Sequence, residues 1–234
     1  MSAKINDDFE QVKSFLSTYG LSSLVGNASY IAELKRAHKR YFGALTLIAE
    51  IDTQLPAKRT KRLGTTVDYF KESVSDLNSA LFCLATCAHK PGRVMVRSAL
   101  ETTAKGILAT ESLALLRQKS VFSIVKEARA TKYCKESLPR TYFDRLTTLY
   151  SELCKDVHTA SHENMAMITA LNNYATYDSA KSHALEEVLV DAARIIASLQ
   201  AMYFHNQYNS MHFSNRPIVR SSLPVDVIRR LAGA

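Results

Sequence analysis

The stretch from Lys181 to Asn206, KSHALEEVLVDAARIIASLQAMYFHN, decides the fold class. Leu185, Val188, Leu189, Ala192, Ile195, Ile196, Leu199, Met202 and Tyr203 recur every third or fourth position, which puts them on one broad helical face. No Gly or Pro interrupts the run, and it is far longer than the five or six residues of an ordinary strand. The same period returns upstream. Gly26-Asn27 opens a run through Ile31, Leu34, His38, Tyr41, Leu45, Ile48 and Ile51 that lasts until Pro56. A second runs from about Thr66 to Cys87 with Val67, Phe70, Val74, Leu77, Leu81 and Leu84. A third, from Arg93 to Arg117, carries Val96, Leu100, Thr103, Ile107 and Leu108, with Pro91 near its first turn. Another begins at Pro139 and continues through Phe143, Leu146, Leu149, Tyr150, Leu153 and Val157.

Shorter helices are predicted at Asp7 to Tyr19, capped by Asn6 or Asp7, and at Val121 to Ala130. Only 7 Gly and 5 Pro are present, too few for the frequent turns of a sandwich or barrel. The expected architecture is all-α: one domain over residues 1–234, an up-and-down bundle of four to five long helices with short accessory helices. Residues 206–234 form a tail with Pro217, Pro224 and a short helix from Val225 to Leu231. A chain of 234 residues can bury such a core without disulfides or metals.

Cys83, Cys87, Cys134 and Cys154 form no C-x2-C pair and no secreted disulfide framework. The N-terminal residues lack the plan of a signal peptide, and no run of predominantly apolar residues reaches the ~18–20 of a membrane span. A reducing cytoplasm is the expected compartment, with no membrane partner. Thirty Lys+Arg against 22 Asp+Glu leave a net charge of +8, which favours polyanionic partners. No G-x-G-x-x-G, Walker loop, H-E-x-x-H or G-x-S-x-G is present, so nucleotide motors, dinucleotide oxidoreductases and common serine hydrolases are not indicated.

Two segments carry residue types suited to chemistry. In Arg97-Ser-Ala-Leu-Glu101, Arg97 and Glu101 share a helix face with Arg93 and Lys105. Arg97 can present its planar fork to a phosphate or a carboxylate; equally, the pair can be an intrahelical ion pair on a solvated face. In Tyr150 to His162, Cys154, His158 and His162 fall four apart. They cannot all share one metal ion, since eight residues span roughly 12 Å of helix. The metal-free alternative is acid–base chemistry. RNA supplies its own nucleophile, the 2′-hydroxyl, and Lys155, Asp156, His158 and His162 supply proton carriers and a cation within eight residues. A helix end where His and Lys meet the C-terminal dipole is the plain reading of the same residues. The basic connector with Lys58, Arg59, Lys61 and Arg62 can grip a phosphate backbone or stand as a solvated loop. The tail cations Arg216, Arg220, Arg229 and Arg230 read as part of a packing strap, a dimer contact or a nucleic-acid arm, and His38 as a hydrogen-bonded core histidine.

Together, Arg97-x-x-Leu-Glu101 and, some fifty residues on, Tyr150-x-x-Leu-x-x-x-Val-His158 resemble uncharacterised bacterial helical families grouped loosely with the HEPN domains (higher eukaryotes and prokaryotes nucleotide-binding). The resemblance covers about a quarter of the chain. It implies a helical bundle, usually dimeric. Many such proteins are metal-independent ribonucleases of toxin–antitoxin and phage-defence systems, and others are inactive nucleotide-binding or adaptor relatives. The implied partners are RNA or another polyanion, a cognate protein and a second copy of the chain; no cofactor is implied. Lys155-Asp156 followed by His162 fits the spacing of the active motif with Lys where the motif has Arg, and Lys does not reproduce the bidentate grip of Arg on phosphate. The resemblance places Arg97, Glu101, Asp156, His158 and His162 across two facing helices. The histidines would handle protons, Arg97 or Lys155 would bind phosphate, and Asp156 or Glu101 would orient a histidine. A non-catalytic module that tethers a protein or nucleic acid, and a purely structural assembly protein, remain open beside the ribonuclease.

Overall fold

Side chains that accept the orphan N–H groups of a first turn start three of the long helices. Asn27 accepts from the Tyr30 N–H at 3.1 Å, Thr60 from Leu63 at 3.3 Å, and Asp178 from Lys181 at 3.1 Å. The structure is a computed structural model that describes residues 2–118, 120–157 and 175–233. In chain order its helices are α1 (Ala3–Thr18), α2 (Ser22–Val25), α3 (Ala28–Gln54), α4 (Lys61–Ala85), α5 (His89–Ala109), α6 (Val121–Ala130), α7 (Ser137–Val157), α8 (Ser179–Tyr203), α9 (His205–Asn209), α10 (Arg216–Arg220) and α11 (Val225–Ala232). No strand occurs among the described residues. The protein is an all-α bundle with five long helices, α3, α4, α5, α7 and α8. Residues 158 and 162, with the histidine expectations attached to them, lie outside the described residues.

Helix α8 packs against α3, α4, α5 and α7. Its residues from Ile195 to Ala201 are all buried, so this part of the helix has no solvent face. Two polar side chains lie inside that run. Ser198 donates to its own helix at Arg194 O (2.7 Å), and the Gln200 amide donates to Phe70 O and Ser73 Oγ on α4, both at 3.3 Å. Buried amides that find a partner cost little and fix the register of the two helices.

Several boundaries differ from the periodicity. Helix α4 starts at Lys61 and carries Gly64 inside it, because Thr60 supplies the cap. Helix α5 starts at His89, with Pro91 in the first turn, where no intrahelical N–H partner is lost. It stops at Ala109 rather than Arg117. The Thr110 hydroxyl donates back to Ile107 O at 2.6 Å, Ser112 Oγ accepts from Leu115 N, and only a 3-10 turn at Leu115–Arg117 follows. Helix α1 begins before Asn6, at Ala3, and α8 breaks at Phe204 into α9.

The tail is a strap. Ile218, Val219, Leu223, Val227 and Leu231 are buried, and α10 crosses α3. Ser222 donates to Lys39 O at 3.1 Å, and Arg40 donates to Ser221 O. Gly43 lies at the crossing: a Cβ there would meet Ser222 Oγ at 2.0 Å and Ser222 Cβ at 2.5 Å. At the other end, α1 is held by Asp8, whose Oδ2 lies 2.6 Å from the Nε2 of the buried His38.

Two outcomes follow. Gly43→Ala is expected to destabilise the protein by about 1–3 kcal/mol through overpacking, because Ser222 Cβ can yield only with its backbone. Urea unfolding should show part of that loss recovered when Ser222→Gly is added. Burial pushes the His38 imidazole below its usual 6.5 and outweighs the nearby Asp8. The unfolded chain therefore takes up this proton more readily. The contribution of neutral His38 is whole above pH 6.5 and is lost as pH falls from there through the lowered folded value. His89 acts in the same sense, and the buried carboxyls of Asp76 and Glu186, raised by burial, in the opposite one. The effect should therefore appear as a flatter stability–pH slope in His38→Asn than in wild type between pH 7 and about 5.

Candidate active site at the crossing of α5 and α7

Helix α5 buries Val96, Ala99 and Leu100, which turns Arg97 toward α7 at the edge of the core. There its Nη2 donates to the Tyr150 hydroxyl at 2.7 Å and its Nε to Cys154 Sγ at 3.3 Å. The guanidinium also lies over the Tyr150 ring, 4.9 Å from its centroid. Burial works against the charge on Arg97, but its hydrogen bond to Cys154 and the neighbouring Tyr150 outweigh it, so the group is held firmly protonated. Burial pushes the Tyr150 phenol up to about 12, against the pull of Arg97. Tyr150 therefore stays neutral at physiological pH. Among the described residues Arg97 meets no carboxylate within ion-pair distance. Two of its N–H groups are engaged by neutral partners, which leaves the others for an acceptor that approaches along α7.

Glu101, one turn along α5, is paired with Lys105 at 2.7 Å, with both side chains partly buried. The intrahelical ion pair on this face is thus Glu101–Lys105, and Arg97 is left outside it. Lys155 is exposed and lines a different groove, with Arg129, Thr147, Ser151 and Glu152. It is not beside Arg97. The backbone of Asp156 lies in the last turn of α7; its side chain, like His158 and His162, lies outside the described set. Tyr150 and Cys154 emerge as the residues that position Arg97. Their separation of four was visible in the sequence, but Tyr150 reads there as one more core aromatic.

The basic connector divides into two parts. Arg59 binds the end of α3 three times: Nη1 to Asp52 Oδ1 at 2.7 Å, Nη2 to Asp52 O at 2.8 Å, and Nε to Pro56 O at 3.0 Å. Lys71 from α4 reaches the other Asp52 oxygen at 2.9 Å. Both cations hold the Asp52 carboxyl below its usual range. Arg59 therefore closes the α3–α4 loop, whereas Lys58, Lys61 and Arg62 are exposed. In the tail, Arg230 pairs with Glu136 at 3.0 Å and Arg216 donates to Asn209 O, both contacts within the strap's packing.

Compared with known proteins, the chain matches no family model, and no curated protein or solved structure is significantly similar to it. Among the described residues no group of three or more His, Cys, Asp or Glu is arranged to hold a metal ion. No helix among them is long and apolar enough to cross a membrane.

Arg59→Gln should lower stability by about 1 kcal/mol, the scale of a partly exposed charged hydrogen-bond set. The triple change of Lys58, Lys61 and Arg62 to Gln should leave the unfolding midpoint in place. Denaturant titration of the two variants distinguishes loop closure from surface charge.

Proposed function

We propose that this chain is a HEPN-like helical protein of a bacterial defence or toxin–antitoxin system that acts on RNA as a metal-independent ribonuclease, with Arg97 as its phosphate contact. The observation that carries this reading is the half-buried Arg97 guanidinium, oriented by Tyr150 and Cys154, with no carboxylate within ion-pair distance among the described residues and the nearby Glu101 paired with Lys105. A cation held in place by neutral groups keeps its charge for an incoming anion, and an oriented guanidinium fits two phosphate oxygens. The net charge of +8 draws RNA toward the surface, where the exposed Lys58, Lys61 and Arg62 can add backbone contacts.

In the proposed reaction the RNA 2′-hydroxyl oxygen attacks the adjacent phosphorus while its proton passes to one histidine of the His158/His162 pair. The P–O5′ bond breaks, the leaving oxygen takes a proton from the other histidine, and a 2′,3′-cyclic phosphate and a 5′-hydroxyl result. Arg97 stabilises the charge that grows on the non-bridging oxygens. Asp156 or Glu101 orients a histidine in this reading, and Glu101 does so only by leaving Lys105.

A second reading, a non-catalytic module that binds RNA or tethers a partner protein, is favoured by one observation. Lys155, the cation at the motif's Arg position, faces another groove than Arg97. Purified protein incubated with labelled RNA in EDTA should yield cyclic-phosphate ends. Arg97→Ala should lower the rate by about 100-fold or more, and the double change His158→Ala/His162→Ala should abolish it, with helical content unchanged. Salt-sensitive binding without turnover would assign the protein to the second reading.

A further inference from the structure

Helix α7 has a second functional-looking face, turned away from Arg97. It forms one wall of a cleft of about 930 Å³ whose other walls are α8, the edge of α3 and the start of α11. Three arginines line it: Arg40 from α3, Arg145 from α7 and Arg194 from α8. Three carboxylates, Asp144, Glu152 and Asp191, line it as well, so what matters is which groups the two sets are bound to. Arg40 donates to the Ser221 carbonyl at the end of α10, a neutral group. The Arg145 guanidinium lies over the Tyr142 ring, 4.9 Å from its centroid. Among the described residues Arg194 meets a carboxylate only at 3.7 Å, that of the exposed Asp191 on its own helix.

The other acids on the lining, and Asp226 beside it, are either bound by other groups or exposed to water. Asp144 is gripped by both ends of the Arg129 fork, at 2.7 and 3.2 Å. Asp226 accepts the Tyr142 hydroxyl at 2.8 Å and the Val227 N–H at 3.0 Å. Glu152 lines the cleft but is exposed to water. Like charges meanwhile crowd one another at the inner wall. Burial disfavours the protonated forms of Lys39 and Arg40, and the charge of Arg194 adds to that in both. With Asp144 bound by Arg129 and Asp191 no nearer than 3.7 Å, the partly buried Arg40 and Arg194 lie close together without a short ion pair to either, the condition an anion-binding cleft requires before its ligand arrives. Leu149, Ile195 and Leu223 give the same cleft an apolar floor, and its volume lies in the range of small-molecule sites.

We propose that this cleft binds a small phosphate-bearing molecule, its phosphate received by Arg40, Arg145 and Arg194 and its apolar body laid on Leu149, Ile195 and Leu223. The site is separate from the α5–α7 crossing and does not depend on what that crossing does. Arginine suits the role because its planar fork matches two phosphate oxygens at once.

The test is calorimetric titration of the full chain with inorganic pyrophosphate at constant ionic strength, repeated for Arg194→Gln, Arg145→Gln and Lys58→Gln. Arg194 and Arg145 are solvent-accessible at the cleft, so their variants should keep the wild-type unfolding midpoint. Lys58 is an exposed cation of the distant α3–α4 loop. The expected result is one pyrophosphate per chain, bound about tenfold or more weakly by each arginine variant and equally well by Lys58→Gln. Absence of saturable binding would overturn the proposal, as would an equal loss in all three variants, which marks diffuse surface charge. Displacement of pyrophosphate by a short single-stranded RNA would overturn it too, because the cleft would then be a stretch of polyanion surface.

Discussion

The bundle depends on the enclosure of α8 between Ile195 and Ala201. A helix buried on every side must be matched by partners on every side, and here α3, α4, α5 and α7 supply them. The Gln200 amide then limits the ways in which those partners can be set. It reaches Phe70 O and Ser73 Oγ, and a slide of α4 by one turn would take the Ser73 hydroxyl out of its reach. Hydrophobic burial drives the assembly, and this one amide selects among the registers that burial alone would accept.

The packing of α7 on two of those helices separates two charged features. The helix packs on α5 and on α8, so opposite flanks of it border two different crossings. Tyr150 and Cys154 fall on the flank toward α5 and hold Arg97. Arg145 and Leu149 fall on the flank toward α8 and help to form the arginine-lined cleft. The spacing within a single amphipathic helix thus separates two cation-bearing sites while both stay anchored to the same core.

Much of the fold was legible in the sequence because period and composition act locally. The stripe from Leu185 to Tyr203 implied a long helix, and Asn27 and Pro56 marked the limits of α3 to within a residue or two. The errors came where a side chain, not the period, sets the boundary. Thr60 and Arg59 extend α4 back to Lys61, and Thr110 and Ser112 cut α5 short. The site was legible in part. Arg97 stood out by its flanks of Val96 and Leu100, but its pairing with Tyr150 and Cys154 depends on how α5 crosses α7, which no single-helix pattern contains. The basic run Lys58 to Arg62 read as one unit, yet Arg59 belongs to the scaffold and its neighbours to the surface. Residues Arg40, Arg145 and Arg194 are more than a hundred positions or nearly fifty apart in the chain, so nothing local could have joined them.

The dock of the strap on α3 has a consequence for the order in which the molecule is completed. Ser222 bonds to Lys39 across 183 positions of sequence, and Gly43 is shaped to receive it. At ordinary translation rates of about 5–20 residues per second, α3 leaves the ribosome roughly 10–40 s before its partner is made. During that interval the flank of α3 around Lys39, Arg40 and Gly43 has no strap, and the wall that Leu223 and Val225 give the arginine cleft does not exist. The cleft is therefore a late feature of the nascent chain, finished only when α10 and α11 arrive.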